Sequence, residues 1–543
     1  MGNTITTATS SSKQEEDTTK EKILLECDYL IVGAGATPLA FLDTLLLELP
    51  QAKVILIDKK NIPGGHWVDA YGYVRLHQPS VVYGLESRQL EGNWLKCILT
   101  NFALPWAYRS TKTEILEYFG SFVNDKVASK QVDFYPNCVY DFKEASNLKS
   151  TSNTKDDGIH RFSSVDGTVS YKVKVRSKLV DGTRGECIIP HDTPPQFPVD
   201  EGICILTPNQ IYDAIEANDA SILHKDKQFV VLGAGKTGMD CIVYLQSVMN
   251  IDPSKIAWII SQDVWMLKSS PWIWPQYVAK HAGDKLQAAL ELEEKGAFTR
   301  LDESITPSTF RYPVVQSHHL QLLRKVKTVI RRGRATAIRC SKQGVATTIE
   351  FGSDHAPWQV PFEDCVFIHA TSPGPFNFKD TSEPIFASSQ KMTLDYLFAP
   401  PISFNNSCLA KLEAARVKKT LDVNVMKELV VAYLGEEISE SVNAMTTDDM
   451  LRILIKRVDI MGFVCQANIT EGILFAILDK DPLVSIRWMK SSRVSLLSVP
   501  LSKSGVCDKV RTLLANATAL GLAENDVRML KIVSEKIKPL EGM

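Results

Sequence analysis

Two glycine-rich turns, each between an apolar run and a helical pattern, constrain this chain more than any other feature. The first lies in Asp28-Tyr-Leu-Ile-Val-Gly33-Ala-Gly35, and the second lies in Phe229-Val-Val-Leu-Gly233-Ala-Gly235-Lys-Thr-Gly238. Such glycines form the tight strand-to-helix turn of a βαβ unit and let a pyrophosphate approach the helix N-terminus. Two turns predict two dinucleotides held at once, and the usual chemical reason for this is hydride transfer between them.

Length and composition exclude several classes of protein. The 543 residues are enough for two or three domains, and the formal net charge of -2 argues against general nucleic-acid binding. The 11 cysteines include no CxxC or CxxxxC pair, which predicts reduced thiols in the cytoplasm and argues against a disulfide reductase. No apolar run approaches the roughly 20 residues that span a bilayer. No metal site is predicted.

The N-terminal residues carry a possible lipidation signal. Residues 1–6 match the pattern for N-myristoylation at Gly2, with a chance match in a Ser/Thr-rich segment as the alternative. Residues 1–24 are polar and are predicted to be disordered. A single acyl chain without a polybasic stretch predicts weak membrane association at most.

The first turn carries a further sign of nucleotide binding. Asp58 ends the next strand, 58 minus 33 or 25 residues after Gly33, where an acid can accept hydrogen bonds from a ribose diol. Pro38 replaces the third glycine of the pattern, which a helix tolerates in its first turn. An ordinary βα turn is the alternative interpretation.

The sequence after Asp58 carries a family resemblance. It reaches Gly64-Gly65-His66-Trp67, where paired glycines let a loop lie flat against a planar ring and Trp67 offers a stacking or packing face. The combination resembles the flavin-containing monooxygenase-like group of FAD proteins, in a GGHW-type subfamily. The resemblance implies that Asp58 holds the ribose of FAD and that Gly64, Gly65 and Trp67 lie beside the flavin. Trp67 as a plain core residue is the alternative.

Three candidate catalytic residues follow from this resemblance. In that group an amide side chain lies near the flavin and the nicotinamide; the residue there is usually asparagine, and Gln78 is the nearest candidate. His66 and His77 could donate protons, although a lone histidine is more often structural.

The second turn completes the pattern GxGxxG with Gly233, Gly235 and Gly238. A phosphate-binding loop of the NTPase type is excluded because Val230 occupies the place of the required glycine. The resemblance implies an NAD(P)H site here, with Lys236 as a further candidate contact.

The sequence leaves the nicotinamide open. After the strand Ile256 to Ser261, Ser261 and Lys268 could serve NADP, with Ser261 the candidate contact, whereas Asp263 could favour NAD. No arginine stands at this strand end, and the basic residues 331–334 are interpreted as a solvated turn before a strand. A helical pattern runs from Tyr277 to about Glu294.

A third marker is the apolar strand that ends in Ala370-Thr371. It resembles the strand by which the chain of this protein group re-enters the FAD domain. The resemblance implies that Thr371 contacts FAD.

The predicted fold is α/β, with two dinucleotide-binding Rossmann-like domains for FAD and NAD(P) and a mostly helical C-terminal region. The predicted parts are a tail at 1–24, an FAD-binding domain at 25–205 and 356–440, an NAD(P)-binding domain at 206–355, and a helical region at 441–543.

The predicted function is that of an FAD-dependent oxidoreductase. Hydride from NAD(P)H would pass to FAD and on to oxygen or another acceptor, and a small-molecule monooxygenase is the finer implication of the resemblance. The alternative is a non-catalytic dinucleotide-sensing or scaffold protein with a flavoprotein fold.

Overall fold

The computed structural model describes most of the chain. The described residues are 20–90, 108–142, 158–185, 194–219, 227–268, 274–310, 313–340, 347–361, 364–371, 383–397, 402–455, 463–478, 487–488, 491–494 and 505–540. Gly2 and its acylation lie outside them. The first strand begins at Lys20, so the predicted disordered tail extends too far: the residues from Lys20 onward pair with a long neighbouring strand.

The described elements alternate between strands and helices before the chain becomes helical. The strands are β1 Lys20–Val32, β2 Val54–Ile57, β3 Val132–Tyr135, β4 Cys138–Val139, β5 Ile159–Ser164, β6 Val169–Asp181, β7 Ile205–Leu206, β8 Gln228–Leu232, β9 Ile256–Ile259, β10 Met266–Leu267, β11 Phe298–Thr299, β12 Thr328–Ile330, β13 Ala335–Cys340, β14 Thr347–Phe351, β15 Trp358–Gln359, β16 Cys365–His369 and β17 Lys391–Thr393. The α-helices are Ala36–Glu48, Lys112–Ala128, Pro208–Glu216, Lys236–Ser247, Trp274–Lys280, Lys285–Glu294, Ser317–Lys325, Ile402–Lys418, Val423–Leu434, Ser439–Val442, Thr447–Leu454, Phe463–Ile477, Gly505–Ala515 and Glu524–Ile537.

The first sheet contains the first glycine turn. Its order is β3-β2-β1-β6-β5-β4, and β17 pairs with the end of β6. Strands β1, β2, β3, β6 and β17 run parallel, so their carboxyl ends share one edge. Strands β5 and β6 pair antiparallel as a hairpin around Asp166-Gly167, in which Gly167 has φ +71°.

The second sheet contains the second glycine turn. Its order is β12-β9-β8-β16-β7, and all of its described pairings are parallel. Strand β16, Cys365–His369, lies between β8 and β7. The predicted return to the FAD-binding domain at residue 356 is therefore too early, and the chain rejoins the first sheet at β17.

The C-terminal helices contact the first sheet, and a buried polar cluster lies between them. The helix Ile402–Lys418 packs against Ala36–Glu48, and Tyr29 donates to Glu413 Oε1 at 3.1 Å. The Lys178 ammonium on β6 is fully buried, 2.9 Å from Asp448 Oδ1 and 4.0 Å from Glu413 Oε2. Among the described residues, no helix has both the length and the apolar character to cross a membrane.

Candidate functional site

The first glycine turn leaves its backbone open at the start of a helix. Gly33 has φ +99°, and Gly35 is the N-cap of the helix Ala36–Glu48 with no side-chain cap. The segment after β2 returns to this turn, because Gly64 N donates to Ala34 O at 2.8 Å. A Cβ atom added to Gly65 would lie 2.8 Å from Gly35 Cα, so only glycine permits this approach.

Asp58 stands where the sequence predicts it, directly after β2. Its Oδ2 atom accepts from Ala34 N at 2.5 Å, and its Oδ1 atom accepts from Lys60 N at 2.8 Å. Burial raises the pKa of this carboxyl, although both backbone bonds oppose that shift. Each oxygen keeps a lone pair, so the carboxylate can still accept from a ribose hydroxyl.

Two residues at the same sheet edge were missed by the sequence analysis. Asp395 follows β17, and its carboxylate lies 3.6 Å from Arg184 Nε, just beyond the end of β6. Neither belongs to a local motif, because they meet only when β17 pairs with β6.

Pro38, which replaces the third glycine of the first turn, packs against Gly182. A Cβ atom added to Gly182 would lie 2.7 Å from Pro38 Cβ.

The second glycine turn has the same design with its third glycine present. Gly233 has φ +131°, and Gly235 is the N-cap of the helix Lys236–Ser247 with no side-chain cap. A Cβ atom on Gly235 would meet no heavy atom within 4 Å, whereas one on Gly238 would collide with the carbonyl oxygen of Gly233. Trp258 fixes that carbonyl by donating from Nε1 at 2.8 Å.

Thr371 lies beside the second turn, and its expected contact with FAD stays a prediction. An added Cβ on Gly233 would lie 2.7 Å from Ala370 O and 3.4 Å from Thr371 N. The cause is the pairing of β16 with β8, which brings the end of β16 beside Gly233. Thr371 is exposed there, and its hydroxyl is hydrogen-bonded to His369 Nδ1 at 3.0 Å.

A recess opens beside the second turn, beyond the end of β9. Its lining residues are Ala234, Met239, Trp258, Ile260, Gln262, Asp263, Val264, Met266 and Leu301. Ser261 is exposed and is the second residue after β9, next to the lining residues Ile260 and Gln262, whereas Lys268 is not part of the lining.

An arginine that the sequence analysis treated as part of a solvated turn contacts Asp263, one of the residues that line this recess. Arg331 Nε donates to Asp263 Oδ2 at 2.7 Å, and Arg331 Nη2 donates to Asp263 Oδ1 at 3.3 Å. Strand β12 lies beside β9 with Ile330 opposite Ile259, so Arg331 leaves the sheet next to the residue after β9. The pairing of β12 with β9 brings Arg331 there, and no short sequence pattern marks that pairing.

One segment, residues 64–83, connects the two turns; we call it the bridging segment. Tyr71 donates to Asp240 Oδ2 at 2.9 Å, and the other oxygen of Asp240 is paired with the Lys236 ammonium. Tyr73 stacks on Tyr244 with ring centroids 3.9 Å apart. The segment thus contacts Gly35 at its start and the helix of the second turn in its middle.

The two predicted histidines of the bridging segment are exposed and neutral at pH 7. His66 and His77 keep exposed surface, yet desolvation by the surrounding protein lowers the pKa of each to about 4. Desolvation likewise lowers the pKa of His319 to about 4, and Lys236 acts on both His77 and His319. At pH 7 each ring is neutral, with one N–H donor and one nitrogen acceptor.

Gln78 and Trp67 have different environments. The buried Nε2 atom of Gln78 has no hydrogen-bond partner among the described residues. An unpaired buried amide is costly and marks a donor that is available to a ligand. Trp67 is buried, and its Nε1 donates to Tyr83 O–H at 2.8 Å, which supports the plain core interpretation of this residue.

Comparison with known proteins gives relatives over part of the chain. No protein-family model matches it. Proteins described as uncharacterized from Mycobacterium tuberculosis and Mycobacterium bovis are 32% identical over 330 residues, which is 58% of this chain and 56% of theirs. The chain therefore spans about half the length of the curated relatives it matches.

The solved structures that resemble this chain include flavin-dependent monooxygenases. A flavin-containing monooxygenase from Stenotrophomonas maltophilia is 12% identical, covering 73% of this chain and 99% of its own, with a TM-score of 0.43. The NADP+-bound cyclohexanone monooxygenase from Rhodococcus sp. Phi1 is 12% identical, covering 73% and 85%, with a TM-score of 0.41.

Proposed function

We propose that the chain is an FAD-dependent oxidoreductase that takes electrons from NAD(P)H and delivers them to oxygen or another acceptor. Monooxygenation of a small organic substrate is the finer form of the proposal. The observation that carries it is the bridging segment, which contacts Gly35 of the first turn and Asp240 of the second helix. Dinucleotides bound at the two turns would both border this segment.

The first turn suits FAD. Gly35 offers an uncapped helix N-terminus for a pyrophosphate, Asp58 offers acceptor lone pairs for a ribose, and Gly64 and Gly65 keep the neighbouring loop flat. FAD, when bound, would supply an acceptor for hydride, which the amino-acid side chains do not provide. The protein contributes binding, orientation and the exclusion of water.

The second turn suits NAD(P)H. Gly235 is exposed and has open space where its side chain would lie, as close approach of a pyrophosphate requires. The recess beyond β9 is the expected location of the adenosine ribose, because dinucleotides bind across the carboxyl ends of such strands. Lys236 adds a positive charge at the start of the helix, held by Asp240.

The bridging segment supplies polar groups between the two sites. Gln78 Nε2 can donate to a carbonyl oxygen, which would satisfy its unpaired N–H. His66 and His77 are neutral at pH 7, so each can donate one hydrogen bond and accept another, but neither carries an extra proton to release. This disfavours the proton-donor role that the sequence suggests for them.

Anaerobic spectroscopy tests the proposal directly. The purified protein, incubated with FAD and freed of excess, should be yellow, and NADH or NADPH should bleach it without air. Admission of air should restore the colour. Failure to bind FAD would contradict the proposal, and tight binding without bleaching would favour the non-catalytic alternative.

Valine variants at the two turns separate the two sites. Gly35→Val should give colourless protein, because the side chain would occupy the path of the pyrophosphate. Gly235→Val should give yellow protein that NAD(P)H no longer bleaches. Gly352→Val is the matched control, because an added Cβ at Gly352 also meets nothing within 4 Å and lies outside both turns. Two variants that remain yellow and reducible would refute the assignment of sites.

A further inference from the structure

The two glycine turns differ at the residue that follows their second strand. In the first sheet Val32 lies opposite Ile57, and Asp58 follows. In the second sheet Leu232 lies opposite Ile259, and Ile260 follows. Ile260 in the second sheet is therefore equivalent in position to Asp58 in the first. An acid at this position accepts hydrogen bonds from the two hydroxyls of an unphosphorylated ribose.

Isoleucine cannot accept those hydrogen bonds, so the second site lacks the usual acidic reader of NAD at this position. The neighbouring strand supplies a cation instead. Ile260 N donates to Ile330 O at 3.0 Å, which places Arg331 level with the recess. The recess itself is lined by Ile260, Gln262 and Asp263.

The contact between Arg331 and Asp263 orients the guanidinium. Arg331 uses its Nε–H and one Nη2–H for the carboxylate, at 2.7 Å and 3.3 Å. A guanidinium has five N–H donors, so three remain for a further anion. Asp302 Oδ2 lies 4.0 Å from Nη2, so a second carboxylate faces the guanidinium at longer range, while Ser304 N and Oγ donate to the other oxygen, Oδ1.

We propose that Arg331 reads the 2′-phosphate of NADPH and that Asp263 is a positioning residue that holds the guanidinium at the recess. The inference rests on the proposed function, since it assigns the nucleotide of the second site. It makes the protein selective for NADPH over NADH. The Asp263 carboxylate then acts through Arg331 and not by accepting from a ribose hydroxyl.

Binding of adenosine 2′,5′-bisphosphate and of 5′-AMP tests the inference without any turnover. Calorimetry on the full chain should show tighter binding of the bisphosphate. Arg331→Ala should weaken bisphosphate binding on the order of 10- to 100-fold, because charge-assisted hydrogen bonds are lost. The affinity for 5′-AMP should stay within about twofold.

Further variants separate charge, orientation and general damage. Arg331→Lys should retain part of the preference, because it keeps the charge but loses the fork geometry. Asp263→Asn should weaken bisphosphate binding several-fold and spare 5′-AMP. Arg332→Ala is the matched control: Arg332 lies on the same turn but donates to the carbonyl oxygens of Ala356 and Pro357, and both affinities should be unchanged.

The outcomes distinguish this inference from the proposed function. Equal binding of both nucleotides by the unaltered protein, or an unchanged preference in Arg331→Ala, would overturn the inference and leave the second nucleotide site intact. Tighter bisphosphate binding by Asp263→Asn would overturn the positioning role, because the carboxylate would then be a competitor. Binding of neither nucleotide would contradict the proposed function itself.

Discussion

The phenol of Tyr71 donates a 2.9 Å hydrogen bond to Asp240 Oδ2, across a sequence separation of 169 residues. Asp240 also holds Lys236, the residue that follows Gly235 in the second turn. Because Tyr71 belongs to the segment that contacts Gly35, this bond fixes the second turn relative to the first.

Tyr71→Phe should slow electron transfer without loss of FAD. A hydrogen bond to a charged group contributes about 1.5–3 kcal/mol, and a tenfold change in rate corresponds to about 1.4 kcal/mol. We expect NAD(P)H to bleach the variant roughly tenfold more slowly in stopped-flow absorbance. Tyr140→Phe, which removes a hydroxyl bonded to His160 at 2.8 Å, is the control. Equal rates in Tyr71→Phe and the native protein would contradict a positioning role for this bond.

Gln78→Met should stabilise the protein in the absence of nucleotides. The variant removes the unpaired Nε2 donor while keeping a similar volume, and such a buried donor costs about 1–3 kcal/mol. Urea unfolding should show a gain of about 1 kcal/mol, together with slower NAD(P)H-dependent bleaching of the FAD-loaded protein. A loss of stability in the nucleotide-free protein would mean that Nε2 has a partner after all.

His77→Gln should reduce the sensitivity of the fold to acid. The pKa of His77 is about 4 in the folded protein, below its ordinary value of 6.5, so the unfolded chain binds more protons between these values. The free energy of unfolding therefore falls as the pH drops from 6.5 towards 4. Denaturant titrations at several pH values should show a shallower fall in the variant. An identical pH profile would argue that His77 is fully solvated.

Lys178→Met should destabilise the protein by about 3 kcal/mol, because it leaves the buried Asp448 carboxylate without its lysine. Lys174→Met, at an exposed position on the same strand, should change the free energy of unfolding by less than about 0.5 kcal/mol. Thermal and urea unfolding of both variants gives the comparison. Similar stability of the Lys178→Met and Lys174→Met variants would show that the buried polar cluster does not stabilise the fold.

Short sequence patterns were sufficient to predict the features that depend only on residues close together in the chain. The glycine turns and Asp58 after β2 follow from short patterns, and each lies where the sequence predicts it. Their geometry is set by backbone conformations that only a few residue types favour.

Features that depend on strand order could not be predicted. Thr371 and Arg331 reach the second site because β16 and β12 flank β8 and β9, and no local pattern encodes which strands become neighbours.

The helix predicted from Tyr277 to about Glu294 is wrong for a local reason. It breaks where Ala282 and Gly283 have φ of +51° and +93°, and Asp284 caps the helix that follows.

The buried Lys178 on β6 also constrains the order in which parts of the chain can fold during translation. Lys178 is synthesised 270 residues before its carboxylate partner Asp448. At about 5–20 residues per second, translation needs on the order of tens of seconds to cover that distance. Until Asp448 has been synthesised, the N-terminal part of the nascent chain carries the Lys178 ammonium without this carboxylate, which disfavours burial of the lysine side chain. The first sheet therefore reaches its final packing only after the residues around Asp448 have been synthesised.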